Sequence, residues 1–499
     1  MISDLYTAVT HLAAATHNLS DADLGQPFIW GKHDEGIRLA LFGTAQELRS
    51  LAVQMTQERL AKGMPVTAVQ RLLAQNHAGF RDLQAILLGV SDEQYSQAPA
   101  PGEWPLRYVL GHMVGAERWF FSLAQTGVTH HRAGETPPPL PDDAPETIIG
   151  SYADFRAIME KGTFAEMMAH FSAMHFRSWE LFGDLTDAEL AAPSPLWWEE
   201  ETYSVQYRLH RFDAHLRQHL LQAIKTLEQL GRPQTEASRL VRLGYNALAE
   251  VEALTIGAPA VGAAASSALA QVIEQRTAEI TAVIQQTQAL ETAVKSGDLP
   301  TVQNILKQSP RLTNALDQNR LPLVLTAAYH NEAEIAQTLV TAGAKLSIFS
   351  AAATGSLEKV QAHVAEWDGW LHEHNTDGYT ALQLACFFGH ETTALWLIEQ
   401  GADVNAIARN AMKITPVHAA AANANLAVLR ALLAKGANVT ARQQGGFTAL
   451  HEAARTNNVT MAQLCLEFGA DPALTTDDGQ TPLALAQANN SQAVISLLI

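Results

Sequence analysis

Apolar residues along this chain recur every three or four positions, the period of helices with one buried face. Four strong runs stand in the front half. The first, 69–88, carries Leu72, Leu73, Phe80, Leu83, Ile86 and Leu87 and stops at Gly89. The second, 105–125, carries Val109, Leu110, Met113, Ala116, Phe120 and Leu123, with Pro105 placed where a first helical turn tolerates it. The third, 164–185, holds Met168, Phe171, Met174, Trp179 and Phe182. The fourth, 204–230, holds Phe212, Leu216, Leu220 and Ile224 behind Ser204, a good N-cap. Four apolar stripes of this kind bury one another in a shared interior, so the pattern predicts a four-helix bundle.

Other helical runs flank these four. Leu5, Val9 and Leu12 mark one near the start, and Ile37, Leu41, Leu48, Leu51 and Met55 mark a long one over 34–60. Two more follow the bundle, at 236–254 and about 267–290. The Ala- and Gly-rich stretch from Ile256 to Ile273, broken by Pro259, reads as a hinge between helices. Thr129 to Pro145, with Pro137, Pro138 and Pro139, reads as a loop serving as spacer or lid. A second connection, Leu190 to Thr202, carries Trp197 and Trp198.

From about Thr287 the pattern repeats. Thr415-Pro416-Val417-His418-Ala419-Ala420 recurs as Thr448-Ala449-Leu450-His451-Glu452-Ala453 and as Thr481-Pro482-Leu483-Ala484-Leu485-Ala486. An earlier copy is Thr380-Ala381-Leu382-Gln383-Leu384-Ala385. The threonines are 415 − 380 = 35, 448 − 415 = 33 and 481 − 448 = 33 residues apart. Gly343, Gly401, Gly436 and Gly469 each precede Ala and supply the left-handed residue that ends a helix. A period near 33 with these marks resembles ankyrin repeats. That resemblance implies six to seven stacked helix pairs, a shortened unit around Ala351 to Ser356, and a protein partner held by hairpin tips and inner helices. Candidate tips lie near Arg409 and Lys413, at Arg442 to Phe447 and at Thr475 to Asp478. It also makes His418 and His451 structural, as residues that fix their turns. The expected architecture is therefore all-α: a helical extension over 1–66, a bundle over 67–232, a helical linker over 233–286 and repeats over 287–499.

Charge narrows the partners. Acidic residues outnumber basic ones 51 to 33, for a net charge of −18. Phosphate contacts need Lys and Arg, so a general nucleic-acid or acidic-membrane binder is not expected. No run has the length and Leu, Ile and Phe content of a membrane span, and the N-terminus shows no secretory leader. The two cysteines, Cys386 and Cys465, fall in apolar helical patterns and read as buried free thiols. A reducing, cytoplasmic setting fits.

The chemistry lies in histidine. His215 and His219 are four apart and project from one helical face beside an apolar stripe, so their rings can ligate one ion. Alone, such a pair is more often ordinary surface or core histidine. His112, among the apolar residues of the second helix, is by itself a core histidine. His130 and His131 in the expected loop, and His170 and His175 on different sides of the third helix, make no set. Gly102-Glu103-Trp104-Pro105, then His112 eight residues after the tryptophan, then His215-Leu216-Arg217-Gln218-His219, resemble the DinB-like superfamily (DinB/YfiT-like metalloenzymes) over about 67–230. The resemblance implies a four-helix bundle in which His112, His215 and His219 hold a divalent metal, zinc or nickel. Three neutral imidazoles leave the ion its charge and an open position, where a water or a thiol substrate becomes nucleophilic near neutral pH. Glu103, Glu117 and Asp213 are candidate proton acceptors nearby, with Asp213 expected to point elsewhere. Two functions stand at this point. One is a metal-dependent hydrolase or thiol-dependent transferase addressed to a protein partner by its repeats. The other is a non-catalytic scaffold with a structural or vestigial metal site.

Overall fold

The computed structural model describes residues 3–499. Among them the chain is helical, with a few isolated bridges and no strand. It divides into two compact units, Met1–Val283 and Ile284–Ile499.

In the first unit the main helices are α1 (Ser3–Thr16), α2 (Ile37–Ala61), α3 (Ala68–Ile86), α4 (Leu106–Ala133), α5 (Phe164–Phe182), α6 (Val205–Gln229) and α7 (Glu236–Ala253), with shorter helices between them, among them Ala144–Ile149 and Tyr152–Lys161. A further helix, α8 (Ala263–Ser296), runs across the division point. Side-chain caps set several starts. Thr67 and Gln70 form a reciprocal capping box on α3, Thr163 and Glu166 do so on α5, and Ser204 caps α6. Each such cap stabilises its helix by about 1 kcal/mol.

α3, α4, α5 and α6 pack in a ring, each against two of the others, an arrangement consistent with the expected bundle. Its interior is filled from both ends. Phe80, Leu83, Leu110, Met113, Phe171, Leu216 and Leu220 form one cluster, and Phe121, Met174, Phe182, Leu209 and Phe212 form another. Gly79 lets α6 come close to α3: a Cβ there would lie 2.8 Å from Leu216. α7 lies along α2 and α3, with α1 beside it.

A polar chain crosses this unit. The Asn76 amide donates to Nδ1 of His175 at 3.4 Å, His175 Nε2 donates to His77 Nδ1 at 3.0 Å, and His77 Nε2 donates to Glu252 at 2.8 Å. Arg81 grips the same carboxylate with two bonds of 2.7 and 2.6 Å and lies over the Tyr6 ring. Burial disfavours the charge on Glu252, yet Arg81 and His77 hold its pKa down at about 2. Burial pushes His77 and His175 below the usual range, so both rings stay neutral beside the ion pair.

Two expectations are corrected. The helix carrying His112 continues past 125 to Ala133 and ends on Gly134, which takes the left-handed conformation (φ 71°). His130 and His131 therefore occupy a last helical turn and not a loop. The hinge is also shorter than expected, because α8 begins at Ala263. Alanines after Gly262 extend the helix, since alanine loses no side-chain freedom there.

In the second unit six helix pairs follow one another from Leu323 to Leu498, preceded by the end of α8 paired with Leu299–Gln308. Their inner faces make one continuous core that includes Leu384, Leu397, Val428, Leu432, Leu450 and Leu464. The short Ile348–Ala353 helix follows a brief link from Gly343, where the hairpin finger expected of a full unit is missing.

Candidate metal centre

α4 and α6 lie side by side, and this places the three histidines. His112 comes from the second turn of α4, and His215 and His219 from successive turns of α6. Their rings converge: centroids are 5.0 Å apart for His112–His215, 4.6 Å for His112–His219 and 4.5 Å for His215–His219. One nitrogen from each ring lies within 4.8 Å of the other two, and Nε2 of His112 is 3.1 Å from Nε2 of His215. Zinc–nitrogen bonds of ~2.0–2.1 Å give tetrahedral N···N edges of about 3.4 Å, so the donor set is of the right size for one ion.

Neighbouring groups prepare the donors. His219 Nδ1 donates to the Gln222 side-chain oxygen at 2.8 Å, which leaves the Nε2 lone pair free to face inward. Burial, then His219, His112 and Arg211, push His215 down to about 4. Burial, then His219, lowers His112 as well. Both rings are therefore neutral at pH 7, the form that binds a metal. His215 and His219 are only 8 % exposed, while His112 stands at the open side. The set is thus open on the His112 side.

Aromatic residues frame the opening. Trp104 stands 5.7 Å from the His112 ring, half exposed. Phe120 meets His215 edge-on at 5.9 Å. None of the three candidate proton acceptors belongs to the set. Asp213 pairs with Arg217 at 2.7 Å, as its position on α6 suggested, and Glu103 pairs with Lys225 at 3.3 Å. Glu117 is buried and outside the histidine set, and its Oε1 has no hydrogen-bond partner. His170 stacks on Phe155, and His175 belongs to the polar chain described above, so the two do face different surroundings. Sequence reasoning missed Gln222, whose signal was an amide one turn beyond His219. It also missed the chain of His77, His175 and Glu252, which comes from three separate helices and leaves no spacing to read.

In the repeats His418 and His451 do structural work. The Thr415 N–H bonds to Nδ1 of His418, so His418 Nε2 donates onward to the carbonyls of Ala441 and Phe447 at 2.9 and 3.2 Å. His451 does the same between Thr448 and Gln480. A groove of about 350 Å³ runs along this unit, lined by Tyr329, Tyr379, Phe387 and Met412 among others.

Comparison with known families agrees with both halves. Residues 75–223 match the model of the DinB superfamily. Residues 290–407, 348–443 and 418–499 match the model of ankyrin repeats (3 copies). The chain thus carries a DinB-superfamily domain followed by an ankyrin-repeat domain, the latter a type that mediates protein–protein interaction.

Proposed function

We propose that the first unit is a metal-dependent enzyme of the hydrolase or thiol-dependent transferase type, and that the repeats bring it to a protein partner. The observation that carries this reading is the meeting of His112, His215 and His219 at one point with an open side. In it, these three residues hold zinc or nickel. When bound, the ion would supply Lewis acidity that makes a water or a thiol nucleophilic near neutral pH. The chain's part is to present three neutral imidazoles, fix the His219 tautomer through Gln222, and shield two of the three rings from water. The partner docks along the aromatic groove of the repeats, where half-exposed Phe387 offers an apolar anchor.

One observation favours a second reading, a scaffold whose histidine set holds an ion without turnover. Glu103 and Asp213 pair with Lys225 and Arg217, and no carboxylate belongs to the histidine set. Elemental analysis of untagged protein, with hydrolysis and thiol-transfer assays, separates the two. The enzyme reading expects about one metal per chain, with metal and activity lost together in His219→Ala. Metal retained in full by that variant would remove the assignment of the site. Metal without turnover in either assay supports the scaffold.

A further inference from the structure

Three arginines lie on α6 within three turns, and their partners differ. Arg208 is buried and paired with Glu199, and it also bonds to the Ser194 carbonyl. Arg217 is paired with Asp213. Arg211 forms no ion pair among the described residues. It is one turn before His215 on the same face, and its guanidinium lies 5.7 Å from the centroid of Phe120, the ring that meets His215. Its cation is thus left without a carboxylate partner one turn from the histidine set.

The ring that Arg211 faces is partly open to water, as is the residue before it on α4. Trp119 and Phe120 are partly exposed on α4, and Trp119 meets half-exposed Trp198 at 5.3 Å, edge to face. Large rings left partly open to water beside a cation suit a ligand with an apolar body and an anionic end. A guanidinium fork binds a planar carboxylate through two parallel bonds, which a neutral amide cannot match.

We propose that Arg211 is the specificity-determining residue of this centre, reading the carboxylate of a small aromatic or branched apolar acid whose body rests on Phe120 and Trp119. The proposal rests on the enzyme reading above for its biological sense, and names the class of substrate that reading leaves open. Arg211 touches no reacting atom in this scheme; it orients the ligand from one turn away.

The test is binding, not turnover. Metal-stripped protein is titrated calorimetrically with 3-phenylpropanoate and with 3-phenylpropanamide, in the wild type, Arg211→Gln and Arg211→Lys. Using stripped protein removes the ion as a competing anion binder. The wild type should prefer the acid about tenfold, a ratio typical of a charge-assisted pair at a partly exposed site. Arg211→Gln should bring that ratio near one while keeping the amide affinity, and Arg211→Lys should fall between. An unchanged ratio in Arg211→Gln, or no measurable binding of the acid by the wild type, overturns the proposal. Zinc content is measured in parallel on reloaded samples of all three proteins. Zinc failing to bind the wild type would sink the enzyme reading alone, whereas normal zinc with an unchanged ratio would sink only the role of Arg211.

Discussion

Glu117 lies on the buried face of α4, 3 % exposed, with no partner for one carboxyl oxygen. Burial alone pushes its pKa up from 4.5 to about 8. The folded chain therefore holds a proton there at pH 7 that the unfolded chain has released. Where the native state binds more protons than the unfolded one, stability falls as pH rises, here between about 4.5 and about 8. Glu117→Gln removes the titration and keeps the shape. Its stability should match the wild type near pH 4.5 and exceed it by about 3 kcal/mol near pH 7, from 1.36 kcal/mol per pKa unit. Urea unfolding at the two pH values measures this, and a difference that does not change with pH would refute the neutral carboxyl. Nothing in the sequence marked this site as buried and unpaired. Glu117 follows His112 by five residues, which a helical period places off the ligand face, and only packing from the other helices shows that it points inward.

At the scale of elements, the repeats contain their own control for histidine. At the position of His418 and His451, the earlier copy has Gln383. Its amide donates to the carbonyls of Ala406 and Ile414, both at 2.9 Å, while its oxygen accepts from the Thr380 N–H. Glutamine thus spans the same gap between one helix start and the next finger. The copy that starts at Thr481 has Ala484 there, whose side chain makes no hydrogen bond. His451→Ala should cost about 1–3 kcal/mol, because it leaves buried backbone groups without partners. His451→Gln should recover most of that loss. Thermal unfolding of both variants checks this; equal losses would mean that the ring's packing, not its two hydrogen bonds, holds the turn. These motifs were legible because each repeat carries its hydrogen-bond pair within one short stretch. The histidine set was legible for a related reason, since two of its members share a helix and the third follows a recognisable turn. The chain from Asn76 through His175 and His77 to Glu252 had no such local signature. The extension of α4 to Ala133 did have one, Gly134, but the proline run at 137–139 drew the expected loop too far back.

Across the whole molecule, the thiols bear on the chemistry. The chain has two cysteines, and both belong to the core of the repeats. Cys386 is 1 % exposed and Cys465 0 %. Burial raises both thiols, Cys465 to about 12 and Cys386 further, so neither is a thiolate at neutral pH. A thiol reacts and binds metals as the thiolate. The protein therefore has no reactive sulfur of its own to bring to the histidines. If the first unit carries out thiol transfer, the sulfur arrives with the substrate, and hydrolysis needs none. Native protein treated with a chromogenic disulfide should release no signal over minutes, while protein in denaturant should titrate two thiols per chain. Thiol-transfer activity, where found, should survive Cys386→Ala and Cys465→Ala at full specific rate per folded molecule. Fast reaction of either cysteine in the native protein, or transfer lost in a variant that still melts cooperatively, would place the sulfur inside the chain and reverse this argument.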